Sequence, residues 1–475
     1  MQEKSRFATV GVRKFVGGWI VLLSAWPLTA LAGNAKVAYY SSAPQAGKIA
    51  VSLLEKMVKS RGRAAALSGG EAPETTVASE IQLDVILDEA DPDVEQALRA
   101  IKGLTLRHFS TAYQRASVAI ASPAVLFELA KLPAVRAIRP EYGAITQAGS
   151  TESLADQALN AVPLRIGKGL DGGGQTVGVL SDSIAAADNR DGDTSLPPGG
   201  AGTLTGSPAQ DSGDLPPAIE VIRDAPAGGD EGAAMGELIH DIAPAADIAF
   251  SSAFVGGQAG FADGIDQLCQ RSTVLVDDVL YFAEPMYQPG IIAQAAANCV
   301  ASGAPYFSAA GNQANDGLRG RFQDIDPAHD NRNFPVTGED LHAWSPGNAF
   351  LPITLYPGTQ LTAVLQWNQP FDSVSRGNGS QIDLDLYFTS SPEFTPGGAN
   401  ILGAGHDAQG DTGKPAGDAV EIATVINFQP APSKVYLSID HFQGQKNAIP
   451  QDSSVPLEFR IVFFIRGKAE IEGIA

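Results

Sequence analysis

Two different spacings of hydrophobic residues mark the first structured part of the chain. Apolar residues alternate with polar ones over Ile81–Leu87, which is typical of a strand, and recur at helical spacing over Val94–Ile101. Two more strands follow, then a second helix that begins at Ser122-Pro123, and a last strand at Val135–Ile138. The order βαββαβ predicts a ferredoxin-like α+β unit over residues 81–146.

From Gln175 onward, apolar strands alternate with helices. Near-continuous apolar strands indicate a parallel sheet covered by helices on both faces. A polar stretch from Gln147 to about Asn160 separates this α/β domain, assigned to residues 150–335, from the preceding unit. The predicted strands are Thr176–Leu180, Ile219–Ile222, Asp247–Ser251, Val274–Asp277 and Tyr306–Ala309, and the predicted helices are Glu231–Ile242, Phe261–Arg271 and Ile291–Ser302.

Helical periodicity disappears after about residue 335. Strand-like runs separated by turn residues replace it, so we predict an all-β sandwich module over residues 336–475. The predicted strands are Leu351–Leu355, Gln360–Trp367, Ile382–Phe388, Val420–Ile426, Lys434–Ile439 and Leu457–Ile465.

The N-terminus has the pattern of an export signal. Basic residues are followed by the apolar run Phe15–Leu31, and Ala30-Leu31-Ala32 is a small-x-small cleavage signal. Residues 1–32 are therefore predicted to be a signal peptide, and the mature chain is expected to be secreted or periplasmic. Residues 33–80 are rich in Ala, Ser and Gly, and the sequence predicts no fold for them.

Composition and charge narrow the function classes. Of the 475 residues, 44% are hydrophobic and 18% are charged, which allows a sizeable core. The net charge of −21 argues against nucleic acid or an anionic membrane as partner. No apolar stretch after the signal is long enough to cross a bilayer. The two cysteines, Cys269 and Cys299, are either small buried side chains or, in an exported protein, a disulfide.

Three strand ends and helix starts of the α/β domain carry residues with chemical potential. Asp182 follows an apolar strand directly, Glu231 lies in the first turn of a helix that Asp230 can cap, and Asn312 follows the last predicted strand. In an open α/β sheet such positions gather at one edge. Each also has a purely structural explanation: a loop aspartate, an acid at the positive end of a helix dipole, and an asparagine in an unusual turn.

As a set, these positions resemble the subtilisin superfamily, which comprises subtilisins and sedolisins. Asp182 resembles the catalytic aspartate block, and Glu231-Gly232-Ala233 stands where subtilisins have His-Gly-Thr. Ile242-Ala243-Pro244 resembles the end of the helix that follows the histidine. Ser308–Asn312 resembles the oxyanion-hole block, and the unit before the α/β domain resembles the inhibitory propeptide. The resemblance implies a serine endopeptidase that acts on proteins or peptides, with its own pro-region as inhibitor.

The sequence departs from the family at two places. Sedolisins use a glutamate base, which Glu231 matches, but the aspartate expected four residues later is replaced by Met235. The family's Gly-Thr-Ser nucleophile block is absent from the sequence. We therefore expect an inactive chain in which the β module is an insertion and the serine-bearing segment has been lost by truncation. The alternative is a non-catalytic protein that binds peptides or surfaces.

The resemblance assigns roles to the residues that remain. Glu231 would be the base, Asp182 would orient it, and Asn312 would stabilise the oxyanion. Asp277 and Asp278 end a strand where the family builds substrate subsites, so we expect them to contact substrate.

No cofactor is expected, and structural calcium stays open. The acidic loop that contains Asp188, Asp191 and Asp193 is a candidate for calcium, but it departs from the EF-hand pattern and is better explained as a solvated loop.

Overall fold

The computed structural model describes residues 47–50, 52–54, 80–141, 144–146, 158–187, 194–197, 199–325, 341–395, 398–409, 417–442 and 456–472. The predicted signal peptide and the acidic loop around Asp191 lie outside the described residues. In the described part of the chain, no helix is long and apolar enough to span a bilayer.

The N-terminal unit has the element order that the sequence predicts. The elements are β1 (Ile81–Leu87), α1 (Pro92–Ala100), β2 (Leu104–Ser110), β3 (Arg115–Ile120), α2 (Val125–Ala130) and β4 (Val135–Pro140). The four antiparallel strands stand in the order β2-β3-β1-β4. Asp91 caps helix α1 by accepting a hydrogen bond from the Val94 backbone N–H at 2.9 Å.

A short segment before this unit completes its core. Ile49 forms a parallel bridge to Ile138, and the side chains of Ile49 and Leu53 are buried among the core residues of the unit. These residues fall in the span 33–80 for which the sequence predicts no fold. Their apolar run is too short to show a period, and only the packing assigns them to the unit.

The α/β domain contains a six-stranded sheet with helices on both faces. Its elements are α3 (Val162–Lys168), β6 (Thr176–Ser181), β7 (Gly202–Leu204), α4 (Pro208–Ser212), β8 (Ile219–Arg223), α5 (Glu231–Ile242), β9 (Asp247–Ser252), α6 (Gly257–Cys269), β10 (Val274–Asp277), α7 (Ile291–Ser302) and β12 (Tyr306–Ser308). The strand order is β12-β10-β6-β9-β8-β7. Neighbouring strands from β12 to β8 are parallel, and β7 pairs antiparallel with β8. Helices α6 and α7 cover one face, and α5 covers the other.

The two cysteines form a disulfide that links α6 to α7. Cys269 and Cys299 have Cα atoms 5.6 Å apart. Of the two explanations that the sequence left open, the structure has the disulfide.

Two antiparallel sheets form the β-rich region, and their facing sides enclose a core that includes Trp367, Phe388 and Phe459. One sheet consists of β13 (Gly317–Arg321), β20 (Glu458–Arg466), β15 (Gln360–Trp367) and β18 (Val420–Ile426). The other consists of β17 (Ile401–Gly405), β16 (Leu384–Thr389), β19 (Ser433–His441), β14 (Leu351–Leu355) and β21 (Ala469–Ile471), and helix α8 spans Asp372–Ser375. Strand β13 pairs with β20, so the region begins before the predicted boundary at residue 336. The sequence misses this strand because Gly317–Arg321 shows no apolar alternation.

The N-terminal unit touches both other parts of the chain. Strand β5 (Ala144–Thr146), at the C-terminal end of the unit, pairs antiparallel with β11 (Val279–Tyr281) of the α/β domain. Arg139 donates hydrogen bonds to Asp84 of its own unit, to Gln258 of α6 and to Asp418 of the β region.

Candidate active site

Asp182 lies immediately after β6, at the carboxyl edge of the sheet. Its carboxylate accepts hydrogen bonds from the backbone N–H groups of Gly229 at 2.6 Å and Glu231 at 2.9 Å, and from its neighbour Ser183 at 2.5 Å. The first amides of a helix have no intrahelical acceptor and carry partial positive charge. Asp182 therefore caps α5 from another part of the chain and fixes where the helix begins.

Asp230 does the reverse of what its position before α5 suggests. Its backbone is left-handed, with φ of 56°, and its side chain makes no capping hydrogen bond to α5. Instead its carboxylate accepts from the Ser183 hydroxyl at 2.6 Å and from the amides of Ala186 and Ala187, each at 2.7 Å. Each of the two carboxylates therefore stabilises the loop that carries the other: Asp182 binds the segment before α5, and Asp230 binds the segment after β6.

Glu231 is the first residue of α5, and its side chain is half-buried. Within the described residues, this carboxylate takes part in no hydrogen bond or ion pair, whereas the Glu231 backbone is held by Asp182. The next residue explains how close α5 comes to the sheet. A Cβ at Gly232 would stand 2.4 Å from the Phe250 ring and 2.6 Å from the Ser183 carbonyl oxygen, so only glycine fits there.

Asp277 and Asp278 end β10, next to β6. Asp277 is opposite Leu180 in the parallel register, so Asp278 reaches the level of Ser181 and Asp182. Asp277 accepts hydrogen bonds from the Ser308 hydroxyl at 2.9 Å and from the Val279 amide at 3.2 Å. Burial raises the pKa of the Asp278 carboxyl to about 7, and the nearby charges of Glu231, Asp277 and Asp182 add to the rise, while the Ser181 hydroxyl opposes it.

Asn312 lies four residues beyond Ser308, past the end of β12, and its side chain is exposed. Strand β12 is fixed at this edge, because the Ala309 amide donates to the Asp277 carbonyl oxygen at 3.0 Å. The left-handed residue of this turn is Gly311, with φ of 85°. An unusual turn conformation is therefore not the reason for the asparagine.

The structure thus brings Asp182, Glu231 and Asp278 together, and it places Asp277 and Asn312 at the ends of the adjoining strands. Sequence reasoning missed Asp224, at the end of β8. Its buried carboxylate accepts hydrogen bonds from the amides of Ile184, Ala185 and Ala225, and burial raises its pKa to about 6. A strand that ends in a carboxylate was the available signal, the same one that singled out Asp182.

Sequence reasoning also missed β11 and its pairing with β5. The ladder joins Val279 to Thr146 and Tyr281 to Ala144, and it begins one residue after Asp278. An extended chain segment therefore lies as a strand beside the carboxylates. Three-residue strands carry too little pattern to be recognised from sequence.

The described residues of the site do not form a metal-binding group. Across the described ranges, no three His, Cys, Asp or Glu side chains are arranged to hold a metal ion. The site has several carboxylates at one edge of the sheet, and the pKa of Asp278 is raised to about 7. A carboxylate with a pKa near neutral is suited to proton transfer.

Comparison with known proteins identifies no family by sequence: no family model matches, and no curated protein matches. Solved structures that resemble part of the chain include the epidermin leader peptide processing serine protease from Staphylococcus aureus, with a TM-score of 0.30 and 11% identity over 50% of this chain and 61% of that one. A mutant of that protease has a TM-score of 0.31 and 13% identity over 52% and 62% of the two chains. Fervidolysin from Fervidobacterium pennivorans, a keratinolytic enzyme related to subtilisin, has a TM-score of 0.28 and 14% identity over 51% and 41%. This chain spans less than two thirds of each of them, and at these TM-scores the likeness does not assign it to a family.

Proposed function

We propose that this protein is an exported serine endopeptidase of the subtilisin/sedolisin type, and that the chain as it stands does not hydrolyse peptides. The observation that carries the proposal is the meeting of Asp182, Glu231 and Asp278 at the carboxyl edge of the parallel sheet, beside a strand that already pairs with a chain segment. Peptidases bind substrate as an added strand, because the backbone hydrogen bonds then hold any sequence in register.

Glu231 is the general base in this proposal. It stands at the start of a rigid helix, and its carboxylate has no competing partner among the described residues, so it is available to accept a proton from a serine hydroxyl. Asp182 acts through the backbone: it holds the Glu231 amide, the first of α5, and the Gly229 amide just before the helix, and so the position from which the Glu231 side chain extends. The exposed Asn312 amide would donate a hydrogen bond to the oxyanion.

Contacts of the N-terminal unit support its proposed role as an intramolecular inhibitor. The β5–β11 ladder occupies the strand position next to the carboxylates. On the other side of the unit, the His108 Nε2 atom lies 2.7 Å from an Asp263 carboxylate oxygen of α6, and the Tyr113 hydroxyl donates to Asp266 at 2.7 Å. A unit held at both places would exclude a peptide from the site.

An exposed aromatic residue on the sheet supports the proposal that a serine-bearing helix is missing. Phe307 on β12 is opposite Val276 in the parallel register, on the face that α5 covers. The Phe307 side chain is 61% exposed, although aromatic residues on an inner strand face are normally covered. A serine-bearing helix packed beside α5 would bury it and bring its hydroxyl to the same edge as Glu231.

A serine-reactive fluorophosphonate probe tests the chain as it stands, and we expect no stoichiometric labelling. Labelling that disappears when one serine is replaced would show that the nucleophile is present.

A version with a Gly-Thr-Ser segment restored tests the mechanism. Because a carboxylate is a weaker base than an imidazole, we expect an acidic optimum in the pH–rate profile. Glu231→Gln should abolish turnover, since an amide cannot accept the proton. An alkaline optimum, or near-normal turnover of that variant, would assign the base elsewhere.

The second candidate is a non-catalytic protein that binds peptides. The observation that favours it is a strand seat at β11 in a chain whose sequence has no Gly-Thr-Ser. The coding sequence after the Ala475 codon separates the two: a downstream Gly-Thr-Ser block indicates a peptidase, and its absence indicates a binding protein.

A further inference from the structure

The Asp278 side chain is buried, and among the residues that the structure describes it has no hydrogen-bond partner. It is 7% exposed, and neither carboxylate oxygen makes a hydrogen bond within the described residues. The Ser181 hydroxyl is close, but it does not reach hydrogen-bonding geometry. A buried charged group without a partner is costly, so such groups are normally paired. Because the described residues supply no donor, the position is suited to a partner that a bound molecule brings.

The groups that face Asp278 are acidic. They come from three elements: Asp182 after β6, Glu231 on α5, and Asp277 on β10 itself. Asp182 is satisfied by backbone amides and Asp277 by Ser308 and Val279. Among the residues that the structure describes, none of the four acids forms a salt bridge, and only Asp278 and Glu231 are left without a donor.

The missing donor must be positively charged, and the geometry selects its class. A metal ion needs several ligands that converge, and the described part of the chain has no such group. A guanidinium or ammonium group on a flexible stem needs only one or two carboxylates. The strand seat supplies its origin, because the β11 ladder begins at Val279, the residue after Asp278.

We propose that Asp278 and Glu231 form a subsite for an arginine or lysine side chain of a peptide bound as a strand along Val279–Tyr281. The proposal rests on the proposed function, and it names the substrate class: peptides with a basic residue at this position. The chain's own strand at the seat, Ala144-Ile145-Thr146, has no basic residue. The segment that pairs there therefore leaves the two carboxylates without a cation.

The subsite has a pH signature. Asp278 attracts a cation only when it is ionised, and its pKa is raised to about 7 by burial and by its acidic neighbours. The ionised fraction therefore rises between pH 6 and pH 8, and cation binding should strengthen over that interval. A bound cation lowers the pKa in turn, so binding should release a proton.

The test uses the full chain and p-aminobenzamidine, an aromatic amidinium cation whose fluorescence rises when it leaves water. We expect saturable binding that is several-fold tighter at pH 8 than at pH 6, and at least tenfold weaker in Asp278→Asn. Asp247→Asn is the matched control, because Asp247 is an exposed aspartate at the opposite end of the sheet, where β9 begins. Neutral p-aminobenzamide should not bind.

Absence of saturable binding, or equal binding by Asp278→Asn and the wild type, would overturn the subsite. Asp278→Asn removes an unpaired carboxylate, so it should fold at least as well as the wild type, and thermal unfolding checks this. The restored enzyme separates this failure from failure of the proposed function. Cleavage without preference for a basic residue refutes only the subsite, whereas no cleavage of any peptide refutes the peptidase.

Discussion

Arg139 joins the three parts of the chain, and its replacement by leucine tests whether they are held together by charge. The Arg139 side chain is 9% exposed. Its guanidinium donates to Asp84 at 2.9 Å and to Gln258 at 2.9 Å, and it also bonds Asp418 of the β region. In Arg139→Leu, Asp84 keeps Arg115 at 2.8 Å and Asp418 keeps the Ser373 amide at 2.8 Å, but each loses the Arg139 guanidinium.

The expected loss of unfolding free energy follows from those contacts. Removing one partner of a buried ion pair costs about 3–5 kcal/mol. Because both carboxylates retain one donor, we expect roughly 3 kcal/mol at pH 7, the lower end of that range. Arg99→Leu is the control, since Arg99 pairs with Glu95 on the exposed side of α1 with a side chain that is 58% exposed. Its loss should stay below about 1 kcal/mol.

The deficit should depend on pH in one direction. Burial alone would raise the pKa of Asp84, but Arg115 and Arg139 outweigh burial and hold it below its ordinary value. A depressed folded-state pKa contributes stability that is present above the ordinary pKa of about 4 and is lost as the pH falls through the folded value. The difference between Arg139→Leu and wild type should therefore shrink as the pH falls below about 4.

Hydrogen exchange of the β1 and β4 amides measures the effect where it arises, and denaturant unfolding measures its total. Adding Asp418→Asn to Arg139→Leu should recover part of the loss, because it removes a stranded charge. A loss for Arg139→Leu no larger than that for Arg99→Leu would refute the reasoning, and would mean that apolar packing alone joins the parts.

Three further predictions concern the cap, the disulfide and the β region. Asp182→Ala removes the acceptor of the Glu231 amide at the start of α5 and of the Gly229 amide before it, so it should cost about 2–3 kcal/mol and speed hydrogen exchange in the first turn of α5, whereas Asp247→Ala should change neither. Reduction of the disulfide, which spans a sequence separation of 30, should cost roughly 3–4 kcal/mol; a thermal midpoint unchanged by reductant would contradict this, and the Cys269→Ala/Cys299→Ala variant should not respond to reductant. Burial lowers the pKa of His342 and of His441 to about 4, so both stay neutral when folded but bind protons when unfolded below about 6.5. The β region should therefore lose roughly 3 kcal/mol per histidine as the pH falls from about 6.5 to 4, measured through the fluorescence of Trp344 and Trp367 in urea; His342→Gln should reduce the dependence, and equal stability at pH 7 and 4.5 would refute it.

Elements with strong hydrophobic periods could be predicted from the amino-acid sequence. Helices Glu231–Ile242 and Ile291–Ser302 and strands such as Gln360–Trp367 have the predicted bounds, because their apolar spacing comes from the one face or the two faces that they bury. The sequence also selected Asp182 and Glu231, since a carboxylate directly after a buried strand or at a helix start is visible along the chain.

Which groups bind each other depends on the folded arrangement and could not be predicted from the sequence. Asp182 caps α5 across a gap of 49 residues, while Asp230, the local candidate for that cap, holds the opposite loop. Asp278 differs from Asp277 only by being buried without a donor, which no local pattern reveals. Strands β5, β11 and β13 form because partners far away in sequence supply their hydrogen bonds. Local periodicity records which face of an element is buried, but pairing between distant segments depends on the folded arrangement, and the candidate site is made almost entirely of such pairings.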